Sequence, residues 1–133
     1  MSKVFLGGTC NESEWREKLI PLLKINYFNP VVDDWTSECQ EEEYRQKEIC
    51  DIHLYVITPK MTGVFSIAEL IDSSNKNPKG TVFMILSKDG DKEFDKGQLK
   101  SLNAVGNLAG NINGATGFYD SPMMLADYLN TYA

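Results

Sequence analysis

The sequence predicts an α/β domain of flavodoxin-like, Rossmann-like type, in which a parallel five-stranded sheet lies between two layers of helices. Three observations predict it. Short apolar runs that read as strands alternate from end to end with segments of helical periodicity. The run Val82-Phe83-Met84-Ile85-Leu86 is continuously apolar, as a strand buried on both faces requires. The 133 residues make one domain of common size, with no internal repeat, low-complexity tract or linker, so residues 1–133 read as one unit.

The elements follow in order. Residues 3–7 form the first strand. Residues 12–24 form the first helix, with Trp15, Leu19, Leu22 and Leu23 on one face. Pro21 falls inside it and should break or kink it, because proline lacks the N–H and clashes with the preceding turn. Residues 27–32 are the second strand, interrupted by Pro30. Residues 38–50 are a second helix, nearly all polar, which is either a solvated helix or the wall of a polar site. Residues 52–58 form the third strand. Residues 66–75 form the third helix, turning Ile67, Leu70 and Ile71 to the sheet. Residues 81–86 are the fourth strand. Residues 96–109 form the fourth helix, carrying Leu99, Leu102, Val105 and Leu108, and residues 115–119 are the fifth strand. Ser121 is placed to cap the last helix, with Pro122 at its first position.

Composition narrows the function. Hydrophobic residues make up 42% of the chain, enough to drive folding. Nineteen acidic against thirteen basic residues give a net charge of −6, which would repel a phosphate backbone. A small ligand is therefore expected, not a nucleic-acid polymer. No apolar run is long enough to cross a membrane. The start Met1-Ser2-Lys3-Val4-Phe5-Leu6 reads as a strand and not a leader, because glycines follow at once. The cysteines, Cys10, Cys39 and Cys50, are odd in number and lack a CxxC spacing, against a disulfide framework or zinc site. The expectation is a cytoplasmic protein with no metal and no cofactor.

Doubly wound sheets bind ligands beyond the carboxyl ends of their strands, where the strand order reverses. That rule selects Gly7-Gly8-Thr9-Cys10, Asp33-Asp34-Trp35, Thr58-Pro59-Lys60 and the start of the third helix. Gly7, Gly8 and Thr9 form either a tight turn or a loop whose N–H groups meet an anion. Glu12 and Glu14 just after it oppose a phosphate, although Arg16 is near. Ser66 and Glu69 have the spacing of a capping box, while Glu69 also stands where a carboxylate would face the site. Among Glu41, Glu42 and Glu43, the usual reading is a solvated face. Their place after the Asp33-Asp34-Trp35 loop allows a second carboxylate opposite Glu69, and such a pair can divide nucleophilic and acid/base work at a sugar carbon. His53 reads as structural. Cys10 lies in a site loop, but no base is visible to activate its thiol.

Four segments resemble the nucleoside 2-deoxyribosyltransferase superfamily in order and spacing. They are Lys3-Val4-Phe5-Leu6-Gly7-Gly8, Asn29-Pro30-Val31-Val32-Asp33, Asp51-Ile52-His53-Leu54-Tyr55-Val56-Ile57-Thr58-Pro59, and residues 63–69. The likeness is strongest to the short "2-deoxyribosyltransferase-like" branch of bacteria and phages. The superfamily also includes deoxynucleoside 5′-monophosphate N-glycosidases. The resemblance implies a retaining displacement in which Glu69 attacks C1′ of a deoxyribose, and a second base or water then attacks the glycosyl-enzyme. It puts the acid of the second helix at Glu43, eight residues before Asp51, where the family has aspartate. Gly63 departs from the pattern: transferases carry aspartate and glycosidases serine at that place, with Ser66 nearby here. The resemblance also implies a homodimer or higher homo-oligomer in which Gln98, where transferases have asparagine, or Ser101 reaches a neighbour's site. Tyr132 stands near the C-terminus, where the transferases end on tyrosine. Asp33, Asp34 and Trp35 would wall the base pocket of a deoxynucleoside or deoxynucleotide. A nucleotide-sensing module that has lost the chemistry is the alternative from another class.

Overall fold

The computed structural model describes residues 2–10, 12–32 and 36–133. Along the chain run β1 (Lys3–Gly8), α1 (Trp15–Leu19), β2 (Asn26–Phe28), α2 (Ser37–Ile49), β3 (Ile52–Ile57) and α3 (Phe65–Lys76). There follow β4 (Thr81–Ile85), the short strands β5 (Lys88–Asp89) and β6 (Lys92–Glu93), α4 (Lys96–Gly106), β7 (Thr116–Tyr119) and α5 (Pro122–Asn130). Five strands pair in the order β2-β1-β3-β4-β7, all parallel. This is the doubly wound, flavodoxin-like order, with its reversal between β1 and β3.

Strand alternation sorts the side chains into two cores. Val4, Leu6, Leu54, Val56, Val82 and Met84 point to one face, where Trp15 and Leu19 of α1 and Leu125 and Leu129 of α5 cover them. Tyr55, Ile57, Phe83 and Ile85 point to the other, against Leu70 of α3 and Leu102 of α4. Complete burial of a leucine such as Leu54 or Leu129 contributes about 1.5–3 kcal/mol. α2 lies on the same side as α3: its Lys47 sits over the Phe5 ring, and His53 bonds its backbone. Gln46, the buried residue of α2, accepts a 2.6 Å hydrogen bond from Lys3 Nζ.

The structure corrects several sequence expectations. The first helix is short; it ends at Leu19, and Ile20–Leu22 continues as a 3-10 turn with Pro21 at its head, so the proline ends the α-helix. β2 stops at Phe28, before Asn29 and Pro30, because proline cannot donate to the ladder. The capping box at Ser66 and Glu69 does not form. Val64 is the N-cap of α3, no side chain caps it, and Ser66 lies within the first turn. The capping box belongs instead to α4, where Asp95 and Gln98 serve each other's backbone N–H. Ser121 precedes α5 as expected and Pro122 opens it, but the serine hydroxyl donates to Tyr119 O and leaves the helix uncapped. α4 runs out into a π-helical turn, Asn107–Ile112. The β5–β6 hairpin turns at Gly90, whose φ is +62°.

Candidate active site

The reversal of strand order opens a cavity of about 490 Å³, a size suited to a small ligand. Its wall is drawn from the carboxyl ends of β1 and β3, the segment after β2, the middle of α2 and the first turns of α3.

The β1 end is shaped by glycine. Gly8 has φ +117°, and a Cβ there would stand 2.2 Å from Val56 O, so no larger residue fits. Beyond it, Thr9 N–H donates to Val56 O at 2.9 Å, and Thr58 N–H donates to the Thr9 hydroxyl at 3.1 Å. The loop carbonyls turn to Arg16. Its guanidinium donates to Leu6 O at 3.0 Å, Thr9 O at 2.7 Å and Gly8 O at 3.4 Å, while Trp15 Nε1 also donates to Thr9 O. Burial pushes the Arg16 guanidinium down to about 10, against the opposing pull of Cys10 and Glu43. Arg16 is thus an internal brace of the turn as well as part of the cavity wall. A second brace comes from the hairpin, where Ser13 donates to the Asp89 carboxylate. Lys60 Nζ donates to Glu12 O at 3.3 Å.

Glu43 and Glu69 line this one cavity. Between them stands Lys47, whose ammonium donates to Glu69 Oε2 and lies 3.9 Å from Glu43 Oε1. Burial raises the Glu43 pKa; the Lys47 charge opposes this, the Glu69 charge adds to it, and Arg16 opposes it. The Glu69 side chain is 18% exposed and belongs to the ion pair, not to a helix cap. Beneath the carboxylates, Tyr55 is held protonated by burial first and by the Glu69 charge second. His53 is structural: burial lowers its pKa, so the ring is neutral, and its Nε2–H donates to Lys47 O at 2.8 Å.

The remaining sequence candidates divide. Gly7, Gly8, Thr9, Gly63 and Ser66 join the two glutamates in the cavity wall. A Cβ at Gly63 would meet nothing within 4 Å. Asp33, Asp34 and Trp35 lie outside the described residues; the neighbouring Pro30, Val31 and Val32 line the cavity on that side. Gln98 and Ser101 line a different cavity of about 580 Å³, which shares Met61 and Thr62 with the first. Within the chain they are not brought to the glutamates. Sequence reasoning missed Lys47 and the bracing role of Arg16. The signals were there: Lys47 is four residues after Glu43, the spacing of a helical ion pair, and Arg16 directly follows the loop beside Trp15. Among the described residues no group of three or more His, Cys, Asp or Glu is gathered as a metal site, and no helix is long and apolar enough to cross a membrane.

Fold and site together define an α/β protein with paired carboxylates in the cleft at its strand-order reversal. Residues 1–87, which carry β1 to β4 and the whole wall of this cleft, match the family described as nucleoside 2-deoxyribosyltransferase like, and the chain belongs to that family. No curated protein and no solved structure matches the chain.

Proposed function

We propose that the protein is an enzyme that cleaves the N-glycosidic bond of deoxynucleosides through a glycosyl-glutamate intermediate and passes the deoxyribose to a second base or to water. The observation that carries this reading is the convergence of Glu43 and Glu69 in one cleft around a single ammonium. In the first step, Glu69 forms a bond to C1′ as the C1′–N bond breaks, and the electron pair leaves on the base. Glu43, whose burial favours its protonated form, supplies the proton that the leaving base takes up. In the second step, an incoming base or water attacks C1′, the ester bond returns its electrons to Glu69, and Glu43 recovers a proton. The transition state has oxocarbenium character, which carboxylates in a partly water-excluded cleft stabilise directly. Asp33, Asp34 and Trp35 are the residues we propose for the base pocket.

A deoxynucleoside fits the loop better than its 5′-monophosphate. The Ser13 hydroxyl is engaged by Asp89, and the Arg16 guanidinium by the loop carbonyls, so the groups best suited to a phosphate already have partners. We further propose a cytoplasmic homo-oligomer in which α4 brings Gln98 or Ser101 to a neighbour's cleft. Light scattering at micromolar concentration tests it, because full activity at a mass near 15 kDa excludes a shared site.

The function is tested by incubating the protein with a panel of deoxynucleosides, their monophosphates and free bases, following base exchange and base release separately. Turnover of a deoxynucleoside is the expected result. Binding of the same compounds without turnover of any would refute the enzymatic reading and leave a nucleotide-sensing module.

A further inference from the structure

Lys47 is unlike Arg45, the other cation of α2. Arg45 pairs with Glu42 in the open, with side chains 61% and 42% exposed, whereas Lys47 is 25% exposed and turned inward between two helices. Three contacts hold it there. Its ammonium is bonded to Oε2 of Glu69 on α3, stands 3.9 Å from Glu43 one helical turn earlier, and lies 5.4 Å from the centre of the Phe5 ring. Its own carbonyl is bonded by His53, which ties this last turn of α2 to β3. It is absent from the wall of the 490 Å³ cavity; it faces instead a smaller pocket of about 290 Å³ on the far side of Glu69.

We propose that Lys47 is a positioning residue: it grips one oxygen of Glu69 from behind, aims the other at the cleft, and keeps Glu43 and Glu69 in different roles. The inference rests on the proposed glycosyl transfer and adds to it the group that makes the two carboxylates unequal. Without a cation between them, two half-buried carboxylates share a proton and neither has a fixed role. With it, Glu69 carries the stronger contact, while Glu43 stands farther from the ammonium and retains a raised pKa. Because Lys47 approaches from outside the substrate cavity, it acts on turnover and not on binding. The charged and titratable groups around the pair are Arg16 from α1, Glu43 and Lys47 from α2, His53 and Tyr55 from β3, and Glu69, Asp72 and Lys76 from α3, the last two paired with each other.

The test uses Lys47→Met, which keeps a long apolar stem over Phe5, and Lys47→Arg, which keeps the charge. Thermal melting checks that each folds. Carboxyl-carbon NMR of Glu43, assigned with Glu43→Gln, reads the electrostatics independently of activity. The Glu43 midpoint is expected to rise in Lys47→Met by about one pH unit or more and to stay near the wild type in Lys47→Arg. In the exchange assay, Lys47→Met should lose at least tenfold in kcat with KM within threefold, and Lys47→Arg should recover most of the loss. A Glu43 midpoint unmoved by Lys47→Met overturns the inference whatever the turnover. Equal losses in both variants, tracking lower melting temperatures, overturn it in favour of a structural strut. A wild type inert toward the whole panel, with a midpoint that still moves, sinks the proposed function and leaves the electrostatic separation standing.

Discussion

Replacing Glu69 by glutamine keeps the side chain's shape and removes its charge. The structure separates the two consequences. No helix cap is lost, because α3 starts after its N-cap residue Val64 without any side-chain cap. What disappears is the ion pair with Lys47, whose two side chains are 25% and 18% exposed and whose ammonium keeps Glu43 at 3.9 Å as a second partner. A pair so placed contributes about 1 kcal/mol, near the top of the range for pairs in contact with water. For a chain of this length that corresponds to a melting temperature lower by about 3–5 °C. Loss of a covalent nucleophile is of another order. It removes on the order of 10⁴–10⁶ in turnover. That is about 5–8 kcal/mol of barrier. Base exchange and base release, followed by chromatography on Glu69→Gln and wild type at equal folded concentration, compare the two. Turnover within tenfold of wild type, beside a clear fall in melting temperature, would show that Glu69 serves the ion pair alone.

Two further outcomes follow from the same geometry. Gly8→Ala puts a Cβ 2.2 Å from Val56 O at φ +117°, and should destabilise the fold by about 2–4 kcal/mol, seen as a melting temperature lower by roughly 10 °C; an unchanged melt would contradict the tight approach of β1 to β3. Burial holds the folded-state pKa of Glu43 above its ordinary value of 4.5, so its proton stabilises the fold below that pH and the contribution is lost as pH rises through the raised value. The melting temperature of wild type relative to Glu43→Gln should therefore fall as pH increases above 4.5, and a difference that is flat or rises over that window counts against the burial.

How much of this was legible in the chain depended on how local the cause was. β3 and β4 were readable because both faces are buried, which leaves continuous apolar runs in the sequence. β2 was read too long because Val31 and Val32 look like strand residues, yet they lie beyond Pro30 and are exposed at the cleft. The β5–β6 hairpin was missed because strands of two residues have no period to detect; Asp89 and Gly90 were its only signal. Ser66 and Glu69 matched the local pattern of a capping box, but a partner 22 residues away in sequence, Lys47, takes the carboxylate. Local spacing carries no information about that competition. The polar face of α2 was legible as either solvent or site, and the tertiary structure divides it: Arg45 and Glu42 go to water, Glu43 lines the cleft, and Lys47 turns inward behind the carboxylates.

Gly63 offers the sharpest test of how far this cleft follows the deoxyribosyltransferase pattern, in which an aspartate stands six residues before the nucleophile. The backbone there lies outside the left-handed region, and an added Cβ meets nothing within 4 Å, so the position accepts a side chain without strain. It also lines the same cavity as Glu43 and Glu69. Gly63→Ala and Gly63→Asp should both fold with melting temperatures equal to or slightly above wild type, because a side chain reduces the freedom of the unfolded chain by about 0.4–1 kcal/mol. Their activities should part. Alanine brings no polar group and should leave KM and kcat as they are. Aspartate brings an acceptor for a sugar hydroxyl, and a hydrogen bond to a charged group contributes about 1.5–3 kcal/mol, so KM for a deoxynucleoside should fall by about tenfold or more. It also adds a third carboxylate beside a pair served by one ammonium from behind the cleft, which should raise the Glu43 midpoint further and move the alkaline limb of kcat/KM upward. If Gly63→Asp and Gly63→Ala share one KM, the sugar does not reach this edge of the cleft, and the glycine marks a different substrate pose from the one the pattern implies.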